Sequence, residues 1–374
     1  MRFTPLALVR QRVQPARPLP FNIYNNDQTL LLAKGQTVVS LEQMGTLFER
    51  GTLVDIDELF RDGAAIAEAP PHLLGPLWSA SIERMHQTLS HATPETFLGA
   101  LDEAAGPVQA LIDRDPDLAI LQVLRQEGSP HVQYGLNHAV HTAIVCRLVA
   151  HRLRWSSGES NLAFKAALTM NLSMFELQGI LAQQPGKPTE VQRQLIRSHP
   201  TRSRRLLEQA GVMDADWLLA VEQHHETPDR KGYPHGISDA TELASLLHRA
   251  DVYAAKLSPR ASRDPLPADR AGRELFMRDP GSAVTAALIK EFGVYPPGCF
   301  VSLASGESGV VIKRGATVMT PLVAVLFDAN GRPAVQPLRR NTQETAYAVT
   351  GAVPANGLKA ATPVAQQLIE LAVG

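Results

Sequence analysis

Four stretches of this chain place metal-ligating side chains where the surrounding pattern asks for apolar ones. Asp251 lies inside the apolar stripe Leu243, Leu246, Leu247, Ala250, Ala254 and Leu257 of a helix predicted over 241–257. A buried carboxylate is costly unless paired or bound to a cation, so Asp251 is either half of an interhelical ion pair or a metal ligand. His224 and His225 are adjacent at the end of a helix that packs through Leu218 and Val221. Neighbours on a helix diverge by about 100°, yet both can enter one pocket where the helix is ending; the plainer reading is one core and one surface histidine. His199 precedes Pro200 at a predicted helix break. His138 shares a face with Thr142, Val145 and Val149, and His141 follows one turn on. Imidazole is the commonest transition-metal ligand, and carboxylates join it for hard or borderline ions. Each position alone has an ordinary structural reading. Together, in successive helices, they point to one shared site.

The elements that must position these residues are helical. The spacing predicts helices over 79–90, 96–113, 117–126, 134–153, 162–177, 189–198, 214–225, 241–257 and 281–292, with a capping box at Thr189 and Gln192. They form an all-α domain over 76–293, a size that one core can serve. Before it, 1–65 reads as a small α/β module: a hairpin of Phe21–Tyr24 and Thr29–Leu32, then a helix opened by Ser40 with Gln43. Residues 62–75, rich in Ala and Pro, read as a linker. After it, 294–374 reads as a small β-barrel or sandwich, with strands at Phe300–Leu303, Gly309–Ile312 and Leu322–Phe327. The fold class is therefore multidomain and mainly α.

Bulk properties narrow the function. Hydrophobic residues make up 44% and charged residues 20%, and the formal net charge is -1. No global basic field argues for nucleic acid or an anionic membrane. Arg202-Ser203-Arg204-Arg205 is a basic cluster that reads as a solvated helix face. No apolar run approaches the ~20 residues of a membrane span, and the apolar core after Met1 is too short for a signal peptide. Two isolated cysteines, Cys146 and Cys299, suit a reducing compartment, so the expected location is cytoplasmic. The chain contains no Gly-rich phosphate loop, GxSxG elbow or paired CxxC.

The longest signal is His224-His225-Glu226-Thr227-Pro228-Asp229-Arg230-Lys231-Gly232-Tyr233-Pro234-His235-Gly236-Ile237. It resembles the HHExxDGxGYPxGL signature of HD-GYP domains, bacterial cyclic di-GMP phosphodiesterases, and departs from it at Arg230, where the family usually has Gly. Pro185–Thr189 resembles the family's KPGKLT turn, Ser198-His199-Pro200 its HP histidine, and Arg249–Leu257 its VADVYDALT helix, while His138 matches the first-helix histidine. The resemblance covers about residues 130–265.

The same comparison locates losses. The name-giving His-Asp pair falls on Met170 and Asn171, and the family's Lys on Met174. The resemblance implies that the missing Asp would bridge metals; Asn is neutral, and a thioether suits Fe, Mn or Mg poorly. A Glu that serves trinuclear members falls on Tyr134. One metal position keeps His199, His224 and His225 and loses the bridge, and the other keeps only His138 and Asp251. Three histidines with an open fourth place make a reasonable mononuclear site. The expectation is one residual Fe, Mn or Zn there, against a metal-free pocket of hydrogen-bonded histidines. The implied function is a degenerate signalling domain that binds cyclic di-GMP or a GGDEF-type partner through Asp229, Arg230, Lys231, Gly232, Tyr233 and Pro234. The alternatives are an active phosphodiesterase with an altered site, and a scaffold whose helical domain positions the two ends.

Overall fold

A computed structural model describes residues 3–59, 63–124, 133–353, 367–368 and 371–372. Two compact units are formed, Met1–Arg84 with Gly106–Arg114, and Met85–Ala105 with Asp115–Gly374.

In the first unit, β1 (Phe3–Pro5), β2 (Ile23–Tyr24), β3 (Leu30–Leu32), α1 (Leu41–Glu49) and β4 (Leu53–Asp55) build a four-stranded sheet of order β1-β4-β2-β3 with its helix. The expected hairpin is β2–β3, with Asp27 accepting from the N–H and hydroxyl of Thr29 in its turn. Ser40 accepts from Gln43 N–H, while the Gln43 side chain reaches back to Val39 N–H rather than to Ser40. The stretch read as a linker is structured. After α2 (Ile56–Leu59) it holds α3 (Gly63–Ala67) and a 3-10 turn at Pro71–Leu73, and Arg114 donates to the Ile66 and Ala69 carbonyls there.

The helical series continues with α4 (Leu74–His91), α5 (Pro94–Arg114), α6 (Pro116–Leu124), α7 (Tyr134–Arg152), α8 (Ser157–Thr169), α9 (Phe175–Gln183), α10 (Glu190–Gln209), α11 (Ala215–Gln223), α12 (Glu242–Leu257), α13 (Ala268–Arg278) and α14 (Ala283–Phe292). α7 is buried nearly all round, the mark of a core helix, and packs against α6, α8, α9, α12 and α14. Three differences from the sequence reading matter. The helix expected over 162–177 breaks: α8 ends at Thr169, a 3-10 turn spans Leu172–Met174, and α9 starts at Phe175. The break expected at Pro200 is absent, because α10 runs through it. α13 was not expected, since its many charges hide the short buried row Ala268, Ala271, Gly272 and Leu275.

At the C-terminal end, β5 (Phe300–Leu303), β6 (Ser308–Lys313), β7 (Leu322–Phe327), β8 (Pro333–Asn341) and β9 (Val349–Ala352) form one antiparallel sheet of order β8-β7-β6-β5-β9. The expected barrel or sandwich is thus a single sheet among the described residues. Its inner residues Val301, Leu303, Val311, Val323 and Val325 pack on Leu124 of α6, so a helix covers the face that a second sheet would otherwise cover. Arg314 ties the sheet to the helices through the carboxylates of Asp117 and Glu291.

Candidate metal centre

His199 is aimed by the proline that follows it. Pro200 has no N–H, so the Ile196 carbonyl one turn back loses its helical partner. The His199 ring fills that gap, with Nδ1 2.5 Å from the Ile196 oxygen. The 3-10 turn after α8 is pinned to the same place, since Ser173 Oγ donates to the His199 carbonyl and Ser173 N–H to Ser203 Oγ. His224 closes α11, with Nδ1 2.7 Å from the Val221 oxygen. His248 of α12 donates from Nδ1 to the His224 carbonyl at 2.8 Å. His225 lies with its ring centroid 4.2 Å from that of His224 and 5.1 Å from that of His199, and Tyr233 stacks on it at 4.6 Å.

The result is three imidazoles whose ligand nitrogens all lie within 4.8 Å of one another. Their tautomers follow from their partners. A neutral imidazole carries one N–H, and in His199 and His224 that hydrogen sits on Nδ1, facing a carbonyl. Both Nε2 atoms are then bare lone pairs, and they face each other across 3.2 Å. No hydrogen bond can form between two acceptors, so in these tautomers the arrangement suits a cation between them. Ligands roughly 2.0–2.1 Å from one ion are roughly 3.0–3.4 Å apart, which is the observed spacing. The donor set fits a transition metal.

Burial drives His199 down to about 3, with His224 adding to the effect and the Ile196 bond and Asp251 opposing it. Burial likewise takes His224 down to about 4, against Asp251 and the Val221 carbonyl. His225 is held well below its ordinary value, by burial first and by His224 next. Neutral imidazoles are the form that binds metal. Folded values lie below the unfolded value of about 6.5, so this stabilisation is full above about 6.5 and is lost as pH falls toward 4. Urea titrations of chelator-treated protein should lose about 1.4 kcal/mol per pH unit for each proton taken up in that window. A stability flat from pH 7 to 4.5 would contradict the buried neutral cluster.

The second position is closed on itself. His138 Nε2 and Asp251 Oδ1 are 2.7 Å apart, α7 to α12. Burial alone would raise the Asp251 carboxyl; the His138 bond and charge, followed by His225 and His224, hold it far below the usual carboxylate range. His138 Nδ1 has no hydrogen-bond partner among the described residues, and the Tyr134 ring lies parallel to the His138 ring at 6.2 Å. Arg260 Nε donates to the Tyr134 hydroxyl at 2.9 Å, which seals that side. His141 is buried and its Nδ1 also has no partner among the described residues. Met170 is fully buried at the end of α8, Asn171 is 2% exposed with Oδ1 unsatisfied among the described residues, and Met174 is half-buried on the 3-10 turn.

The signature loop wraps the pocket from His225 onward. Glu226 is buried, and its carboxylate accepts from the N–H groups of His235, Gly236 and Ile237 at 2.6, 3.1 and 3.0 Å. Gly232 must be glycine, because a Cβ would sit 2.5 Å from the His225 oxygen. Tyr233, joined to Pro234 by a cis peptide bond, lies against the histidines, whereas Asp229, Arg230 and Lys231 are exposed at the loop's tip. Sequence reasoning brought together His199, His224 and His225 as one set and His138 with Asp251 as another. It missed His248, Glu226 and Arg260. Glu226 stood in the signature but no ligand type marked it as a loop clasp, and the partners of His248 and Arg260 are set by long-range contact.

No family model matches the sequence. The chain is 31% identical over 237 residues to the cyclic di-GMP phosphodiesterase PA4108 of Pseudomonas aeruginosa, a match covering 60% of this chain and 55% of that protein. It is 31% identical over 136 residues to the cyclic di-GMP phosphodiesterase response regulator RpfG of Xanthomonas campestris pv. campestris, covering 35% of this chain and 36% of that one. The chain thus spans about half the length, or less, of these relatives. In fold it is similar to Bd1817, an HDG"Y"P protein from Bdellovibrio bacteriovorus, with a TM-score of 0.50 and 16% identity over 77% of this chain and 98% of that one. With the signature His224–Ile237 and the clustered histidines, these likenesses support placing the chain in the HD-GYP family.

Proposed function

We propose that this protein is a catalytically degenerate HD-GYP signalling protein that binds cyclic di-GMP without hydrolysing it. The supporting observation is the contrast between its two metal positions. His199, His224 and His225 keep a complete, buried, neutral donor set, while His138 and Asp251 bond directly to each other. The first set would hold one Fe, Mn or Zn ion, which supplies a Lewis acid toward a phosphodiester oxygen. Two-metal hydrolysis clamps both the attacking and the leaving oxygen. Here Asn171 brings no charge to bridge two ions, Met170 brings no imidazole, and Met174 brings no cation for the phosphate. The exposed loop tip at Asp229–Lys231 faces either the cyclic dinucleotide or, in its place, a GGDEF-type or other signalling partner. No helix among the described residues is long and apolar enough to cross a membrane, and the two free buried cysteines suit the cytoplasm.

Calorimetry with cyclic di-GMP, metal content and product analysis on one sample test this reading. Binding with intact dinucleotide recovered is the expected result. Turnover that disappears in His224→Ala would instead establish an active phosphodiesterase with an altered site, the reading favoured by the names of the relatives. Neither binding nor turnover would leave a scaffold for protein contacts.

A further inference from the structure

The loop tip holds an arginine in a backbone conformation that arginine disfavours. Arg230 has a φ of 60°, in the left-handed region where a Cβ crowds the following carbonyl and glycine fits best. It occupies the one place where the signature departs from its usual glycine. Within the loop, among the described residues, the side chain makes one long bond, to Ser238. Glu226 clasps the far strand of the loop through three N–H groups. Asp229 Oδ1 accepts from Thr227 Oγ1 at 2.6 Å and from Lys231 N–H at 3.2 Å. Tyr233 N–H donates to the His225 carbonyl at 3.2 Å, folding the loop back on the histidine that starts it.

Against this fixed frame the Arg230 guanidinium is open. It is exposed, and its one side-chain bond among the described residues is a long one, Nε to Ser238 Oγ at 3.4 Å. It has no carboxylate partner among the described residues. Its loop neighbour Lys231, by contrast, lies 3.6 Å from the carboxylate of Asp229. A strained position that keeps a solvent-facing, unneutralised cation points to a ligand rather than to the fold.

We infer that Arg230 is a specificity-determining residue of this loop, its guanidinium taking two oxygens of a phosphodiester of a cyclic dinucleotide held beside the three-histidine pocket. This rests on the reading that the chain binds such a dinucleotide. A planar fork matches two phosphate oxygens, and an ammonium at the same place does not. Glycine there would relieve the backbone and remove the reader, so stability and binding should move in opposite directions.

The full chain, the Arg230→Gly variant and the Arg230→Lys variant are each titrated with cyclic di-GMP and melted without ligand. Arg230→Gly is expected to bind about tenfold more weakly or worse, with Tm unchanged or raised. Arg230→Lys should fall between, with the wild-type Tm. Binding by Arg230→Gly equal to that of the wild type overturns the inference while leaving the proposed function standing. A lower Tm in Arg230→Gly also overturns it, since arginine would then serve the fold. A wild type that binds no cyclic di-GMP overturns both.

Discussion

Protein expressed without a polyhistidine tag is expected to hold about one transition-metal ion per chain, and His224→Ala to hold less than about a tenth of that. The expectation comes from two lone pairs rather than from the histidine count. His199 and His224 each spend their one hydrogen on a backbone carbonyl, so 3.2 Å separates two acceptors. Without an ion, one ring must give up its carbonyl bond or take a proton that burial resists. An ion at the third corner with His225 satisfies all three rings. Metal that binds the folded chain alone stabilises it, by about 2.7 kcal/mol at a hundredfold excess over Kd. Chelation should therefore lower the Tm of the wild type and leave that of His224→Ala unmoved. This comparison separates metal loss from the packing cost of truncating a fully buried ring. A wild type that is purified without metal and takes up none on titration with Fe, Mn or Zn sinks the idea.

How much of this was legible in the sequence depends on range. Asp251 was visible because it violates an apolar stripe, and its helix formed almost as expected, as Glu242–Leu257. The Thr189–Gln192 cap was visible because both partners lie within one turn. The break between α8 and α9 was hidden because Phe164, Leu168, Leu172 and Phe175 keep a helical apolar spacing through it. Pro200 was misread as a stop because its remedy is the neighbouring side chain, the His199 ring on the Ile196 carbonyl. The bond between His138 and Asp251 joins residues 113 apart, and that between Arg260 and Tyr134 joins residues 126 apart. Local pattern carries no trace of either. The left-handed backbone of Arg230 is equally silent, since the sequence there reads only as an arginine in place of a glycine.

Restoring Met170→His, Asn171→Asp and Met174→Lys together is expected to raise cyclic di-GMP hydrolysis by about a hundredfold or more over the wild type. The single change Asn171→Asp shows why three are needed. Asn171 is 2% exposed and its Oδ1 has no partner among the described residues, so a carboxylate fits the space but arrives unpaired there. In chelator that buried charge should lower Tm, and added Mn or Fe should recover it, because a bridging anion is stable only between cations. Turnover should stay absent in this single variant, since the second ion still lacks an imidazole. Met170→His supplies it at the end of α8, and the His138–Asp251 bond must then open so that both side chains face the ion. Met174→Lys returns a cation to the 3-10 turn pinned beside His199. Two signatures should accompany the gain: about two metal ions per chain instead of one, and loss of the new activity on His138→Ala. A triple variant that stays inert with one ion bound would move the cause of the proposed inactivity from Met170 and Asn171 to the packing of Tyr134 and Arg260 beside His138.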